Sequence, residues 1–143
     1  MNRKFLITAL LTAIVLFICN AAIYAVFLKD FFQNHPAVSP EFMKQLYRPD
    51  DQIIVWAVVI CSLSIGFMIT MVIQWSGART FAEGLIRGFL FSALFLITVD
   101  LGLLGTTNNF TLAGAIADMC CSTTALTIGS AFAAWMLGRG AKG

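Results

Sequence analysis

The sequence predicts an all-α, polytopic membrane protein: an antiparallel bundle of four transmembrane helices with a short interfacial helix in the first outer loop. Three observations predict it. Of 143 residues, 59% are hydrophobic and only 11% charged, and the mean hydropathy is +0.88. An ordinary soluble domain has about a quarter of its residues charged, so this chain lacks the polar surface to be one. Apolar stretches recur at the length a helix needs to cross the hydrocarbon core, about 20 residues at 1.5 Å rise each. No strand-length alternation of apolar and polar residues occurs, which argues against a transmembrane barrel. The same composition excludes a disordered chain, a coiled coil, a collagen and a cytosolic enzyme. Residues 1–143 read as a single membrane domain.

The first span covers about residues 5–28, and Phe5 to Leu28 contains no charge. Arg3 and Lys4 before it invite a signal-peptide reading. Residues 19–27 offer no small-x-small cleavage pattern, however, so the segment is expected to be retained. Residues 29–52 form the one substantial loop. Within it Ser39-Pro40-Glu41 carries a helix start: an N-cap hydroxyl, proline at the first helical position and an acid in the first turn. Phe42, Met43 and Leu46 then share one side. That side would lie in the outer membrane surface or pack as a lid over the bundle end.

The second span, residues 53–75, is again uncharged. The turn from Ser76 to Thr80 is short enough to make the second and third spans antiparallel neighbours. The third span, residues 81–104, is interrupted by Glu83, Arg87 and Asp100. Glu83 and Arg87, four apart near its start, are expected to form a weak surface ion pair. The linker from Gly105 is rich in turn formers, and Thr111 suits the cap of a fourth span at 112–137, whose only charge is Asp118.

Lysine and arginine counts orient the spans. Arg3, Lys4, Arg79, Arg87, Arg139 and Lys142 fall on one side. Lys29, Lys44 and Arg48 fall on the other, together with Asp30, Glu41, Asp50 and Asp51. The excess places both termini in the cytoplasm. The net charge of +2 therefore reflects membrane anchors, and no basic stretch resembles a nucleic-acid patch.

Membrane helices associate through small residues that permit close backbone approach. Ser122, Ala125, Gly129 and Ala133 form such a stripe on the fourth span, which Asp118 continues. Gly84, Gly88 and Ser92 form another on the third. Packing is the expected role of both.

Asp100 falls about 6 Å inside the end of the third span and Asp118 about 9 Å inside the start of the fourth, from 1.5 Å rise per residue. Both carboxylates thus reach similar depth near the outer surface. Asn20 and Tyr24, one helical turn apart, bring polar groups to the same depth. Intramembrane acids are costly and usually face a bundle interior or watery cavity. Asp100, Asp118, Asn20 and Tyr24 are therefore the candidate proton or cation site. The alternative is that each acid sits near the interface, bonded to neighbouring Thr, Asn and backbone groups.

No C-x-x-C occurs among the cysteines Cys19, Cys61, Cys120 and Cys121. His35, the single histidine, has no partners at metal-ligand spacing. Walker loops, nucleophile elbows and zincin motifs are absent. The expectation is a non-enzymatic protein with no cofactor, no catalytic residue and no resident metal.

Leu28-Lys29-Asp30-Phe31-Phe32 after the first span, Gly105-Thr106-Thr107-Asn108 after the third, and Asp118 in the fourth form a pattern over most of the chain. It resembles small four-helix bacterial inner-membrane proteins known only as domains of unknown function. The resemblance implies a bacterial source and an inner-membrane bundle, and it transfers no substrate and no site residue. Small multidrug transporters are similar in size but carry an acid in their first helix, where Phe5–Leu28 has none. Quinone-linked thiol oxidases need paired C-x-x-C motifs. Membrane glutathione-transferase-like proteins need an Arg- and Asn-bearing acidic motif in the second helix, and Ile53–Trp75 has neither arginine nor acid.

The expected function is that of an accessory or packing subunit of a membrane complex. Its partners are the lipid bilayer and either further copies of itself or other membrane proteins. The alternative is a small oligomeric proton- or cation-linked transporter or channel using Asp100 and Asp118.

Overall fold

The computed structural model describes residues 2–139; the expected anchor Lys142 lies outside them, as does the side chain of Asp50. The described chain is all-helical. Helix α1 spans Arg3–Ile23, α2 Lys29–Asn34, α3 Pro40–Leu46, α4 Val55–Ser76, α5 Phe81–Thr106 and α6 Leu112–Gly138. Four helical stretches are long and apolar enough to cross a membrane: Arg3–Asn34, Val55–Ser76, Phe81–Thr106 and Leu112–Gly138.

Local chemistry sets most boundaries. The Asn2 side chain accepts from Lys4 N and starts α1. Helix α1 does not stop at Leu28, as the first charged residues suggest. It passes through a π-helical segment, Tyr24–Leu28, into α2. Lys29 and Asp30 end the apolar run but are compatible with helix. The break comes at His35 (φ −130°, ψ 58°), where Pro36 disfavours helical backbone in the residue before it. The expected loop 29–52 is correspondingly shorter.

Ser39 caps α3 as its Ser-Pro-Glu start implies, its Oγ accepting from Phe42 N at 3.3 Å. Gly77 ends α4 in the left-handed region (φ 75°), where glycine has no steric penalty. Thr80 and Glu83 form a reciprocal capping box at the start of α5. Thr111 Oγ1 accepts from Gly114 N at 3.0 Å and starts α6.

The core is concentrated toward one end, which holds the α4–α5 turn, the first turn of α1 and the last turn of α6. Leu16, Ile69, Ile73, Leu126 and Leu137 pack there with Ala133 and Ala134. Lys4 Nζ donates to the carbonyls of Leu137, at 2.6 Å, and of Arg139. Arg139 in turn lies 4.6 Å from the Trp135 ring centre. Toward the other end α1, the π-helical segment after it and α4 present exposed apolar side chains, including Ile18, Val26, Val55 and Ile60.

Close contacts at small residues decide which helices meet. A Cβ at Gly84 would stand 2.6 Å from Ala134 Cβ and 2.7 Å from Ala131 Cα, and one at Gly88 would run into Ser130. Helix α5 is thereby clamped to α6. A Cβ at Gly66 of α4 would lie 2.5 Å from Ala13 Cβ of α1, and one at Gly129 of α6 would overlap Leu16 of α1. The expected pairing of α4 with α5 through their short turn is not what forms. The two touch only slightly, and α5 packs mainly on α6, which also meets α1 and α4. A short turn brings two helix ends together; close-approach surfaces select the neighbour.

Helix α6 thus carries two small-residue faces. Ala125, Gly129 and Ala133 are buried and Ser122 half-buried, with Gly129 turned to α1. The surface meeting Gly84 and Gly88 is the adjacent one, Ser130, Ala131 and Ala134. Three buried hydroxyls are satisfied within their own helices, Thr8 donating to Lys4 O, Thr70 to Gly66 O and Ser130 to Leu126 O, each at 2.8 Å, whereas those of Thr12, Ser92 and Thr127 have no partner among the described residues.

Candidate functional site

The four residues singled out by the sequence occupy the loop end, opposite the Lys4–Leu137 contact, but they do not form one cluster. Asp100 belongs to the buried face of α5, with Gly84, Gly88, Ser92 and Leu96. It is 2% exposed, and its Oδ2 has no hydrogen-bond partner among the described residues. Asp118, one turn into α6 from Gly114, is half-buried and receives the Ser122 hydroxyl on Oδ1 at 3.3 Å. The two carboxylates therefore have different surroundings, one sealed in the α5 interface and the other half-buried and hydrogen-bonded.

Asn20 does not join them. Its side chain is exposed, and its Nδ2 donates to Leu16 O of its own helix at 2.9 Å. An amide one turn beyond a helical carbonyl has that acceptor within reach without any tertiary partner. Tyr24 opens the π-helical segment and stands on the wall of a cavity of about 1020 Å³, which Asp118 also reaches. Of the four, Tyr24 and Asp118 share this cavity; Asp100 belongs to the buried face of α5 and does not line it.

The cavity is built mainly from residues that the sequence reading treated as loop. Leu28, Lys29 and Phe32 contribute from the extended first helix, Met43 and Lys44 from α3, and Phe110 and Thr111 from the start of α6. Phe32 holds the frame together. Its ring meets Phe110 edge-on at 6.1 Å and lies beside Gly114, where an added Cβ would be 3.3 Å from Phe32 Cε1. His35 stacks on Phe31 with ring centres 4.4 Å apart, and its Nδ1 lies 3.0 Å from Phe31 O. The available signal for this site was three loop cations beside aromatic residues. Sequence reasoning used the cations only to count charge.

Near the other end, Glu83 is given to the backbone. Its Oε2 accepts from Arg79 N at 2.7 Å and from Thr80 N at 3.2 Å. Arg87, its expected ion-pair partner, reaches instead to the α4–α5 turn, with Nη1 3.7 Å from where a Cβ on Gly77 would stand. The cysteines are all free, and Cys61 and Cys120 are exposed. Among the described residues, no three His, Cys, Asp or Glu side chains come together as a metal site.

No protein-family model, curated protein or solved structure matches the chain.

Proposed function

We propose that the chain is a multi-pass protein of the bacterial cytoplasmic membrane, acting without catalysis as an accessory subunit that packs against another membrane protein or a second copy. In this reading the four long helices cross in alternating directions and both termini are cytoplasmic. Helix α3 lies at the outer interface. The cytoplasmic excess of Lys and Arg supports that orientation. The Lys4–Leu137 bond supports a common side for the two termini.

The observation that carries the accessory role is a second small-residue surface on α5. Gly84 and Gly88 are consumed by α6, but Gly102 and Gly105 have nothing within 4 Å of where a Cβ would stand. With Thr98 they form a stripe at steps of four and three, all exposed and flanked by exposed Leu94 and Leu101. Such a stripe permits a further helix to approach closely in lipid, where small residues promote association. Gly102→Leu fills it without touching the internal packing. Composition and mass of the particle in mild detergent provide the test: the variant should retain its fold and lose its associated subunit. A wild-type chain that remains monomeric under cross-linking in its own membrane overturns the proposal.

A second reading is favoured by one specific observation, the unpartnered Oδ2 of buried Asp100. Buried acids in membranes commonly serve ion or proton pathways. In this reading an oligomer would conduct protons or cations past Asp100 and Asp118. Unchanged proton or cation flux in proteoliposomes of the Asp100→Asn/Asp118→Asn double variant would sink it.

A further inference from the structure

We propose that the cavity at the loop end is a binding site for an anionic amphiphile, with the acyl chain among Leu28, Phe32 and Phe110 and the charged head on Lys29, Lys44 and Arg48. At about 1020 Å³ the space is at the upper end of the range for small-molecule sites, which are mostly apolar with a few placed polar groups. Leu28 is buried and Phe32 and Phe110 are half-buried, so the apolar wall is formed before any ligand arrives. The Phe32–Phe110 edge contact and the Thr111 cap hold two of its sides in place.

Charge is sorted around this cavity. Lys29, Lys44 and Arg48 all stand on its wall, whereas among the described side chains of the same segment the acids Asp30, Glu41 and Asp51 do not. Among the described side chains Asp118 is the opposing charge; it approaches from α6, and its Oδ1 is engaged by Ser122. The three cations are exposed, which keeps them hydrated when the site is empty and leaves them free to meet a head group. Lysine and arginine with apolar stems suit this position, since the stem covers apolar surface while the charge stays at the mouth. A phosphodiester lipid and a free fatty-acid anion share the required chemistry.

Titration of the delipidated full chain in a neutral detergent, read by native mass spectrometry, tests the site. The probes are dioleoyl-phosphatidylglycerol, oleate, dioleoyl-phosphatidylcholine and glycerol 3-phosphate. Wild type should bind one or both anionic amphiphiles about tenfold more tightly than phosphatidylcholine, and should bind glycerol 3-phosphate weakly. Preference for phosphatidylglycerol assigns a bilayer lipid, and preference for oleate a single-chain anion. Lys29→Gln/Lys44→Gln/Arg48→Gln should abolish the preference with the helical content and melting midpoint kept. Phe32→Ala should weaken both anionic amphiphiles. Arg3→Gln/Arg139→Gln, at the opposite end, should leave the preference intact. Equal binding of phosphatidylglycerol, oleate and phosphatidylcholine overturns the proposal. So does a preference that survives the triple substitution or follows Arg3 and Arg139.

Discussion

Lys4 Nζ donates to the Leu137 carbonyl at 2.6 Å, tying the first turn of α1 to the last turn of α6 across the whole length of the sequence. The last carbonyls of a helix have no intrahelical donor and carry the negative end of its dipole. A lysine ammonium therefore satisfies both needs at one point. Lys4→Met is expected to lower stability by about 1 kcal/mol, and Lys4→Arg to retain part of the effect. Thermal unfolding in detergent, followed by circular dichroism, measures it. A Lys4→Met melting curve superimposable on wild type would show that the contact contributes nothing.

Two glycines of α5 should respond with opposite sign. A Cβ at Gly84 meets Ala131 Cα, which is backbone and has little room to yield, whereas Gly102 faces open space. Gly84→Val is expected to cost about 1–3 kcal/mol by forcing the helices apart. Gly102→Ala should be neutral or stabilising, by up to about 1 kcal/mol, because alanine loses less backbone entropy in a helix. The same melting experiment on both variants checks the contrast, and equal effects would contradict the assigned interface.

Much of this was legible in the sequence. Long apolar runs identify the four long helices, and Ser39, Gly77 and Thr111 mark boundaries by local chemistry that needs no tertiary information. Gly84 and Gly88 are identifiable as packing residues, but their partners are not. Two small faces of α6 are adjacent in sequence, and only the assembled helices distinguish Ala134 from Ala133. The candidate site was less legible for a related reason. Asp100 and Asp118 can be placed in depth by counting residues, yet rotation about the helix axis decides that one is sealed and the other opens to a cavity. The cavity depends on α1 continuing past Lys29, which a reading keyed to the loss of hydrophobicity stops short of.

Glu83 is a cap in this structure, so its substitution should separate capping from ion pairing. Its Oε2 satisfies the amides of Arg79 and Thr80, and Thr80 Oγ1 receives Glu83 N at 3.2 Å. Glu83→Gln preserves an acceptor and should be nearly silent, while Glu83→Ala should weaken the first turn of α5 by leaving two amides without their acceptor. Amide hydrogen exchange over the first turn of α5 is the sensitive measure. Equal loss in both variants would favour a charge interaction instead.

The proposed orientation predicts which side of the membrane reaches two exposed, uncharged positions. Gln45 lies in α3 and Gln74 in the last turn of α4. In a cysteine-free background, Gln45→Cys should react with a membrane-impermeant maleimide in intact spheroplasts. Gln74→Cys should react only after lysis. Neither substitution changes the Lys and Arg balance that orients the chain. The reverse pattern would invert the topology and place the termini outside.

Asp100 tests whether the molecule retains a group that its packing does not favour. A buried carboxyl oxygen without a partner carries a desolvation cost of about 1–3 kcal/mol, and Asp100 Oδ2 is such an atom. Leucine has nearly the same shape without the polar atoms, so Asp100→Leu is expected to raise the melting midpoint in detergent. Asp118→Leu should not, because it removes a carboxyl that already accepts from Ser122 and opens to the cavity. A destabilised Asp100→Leu variant would mean that the carboxyl contributes to packing. A stabilised variant that also loses proton or cation flux in proteoliposomes would have a different meaning. Departures from local consistency concentrate at functional sites, and a carboxylate held there against stability would favour the proton- or cation-linked reading over the accessory one.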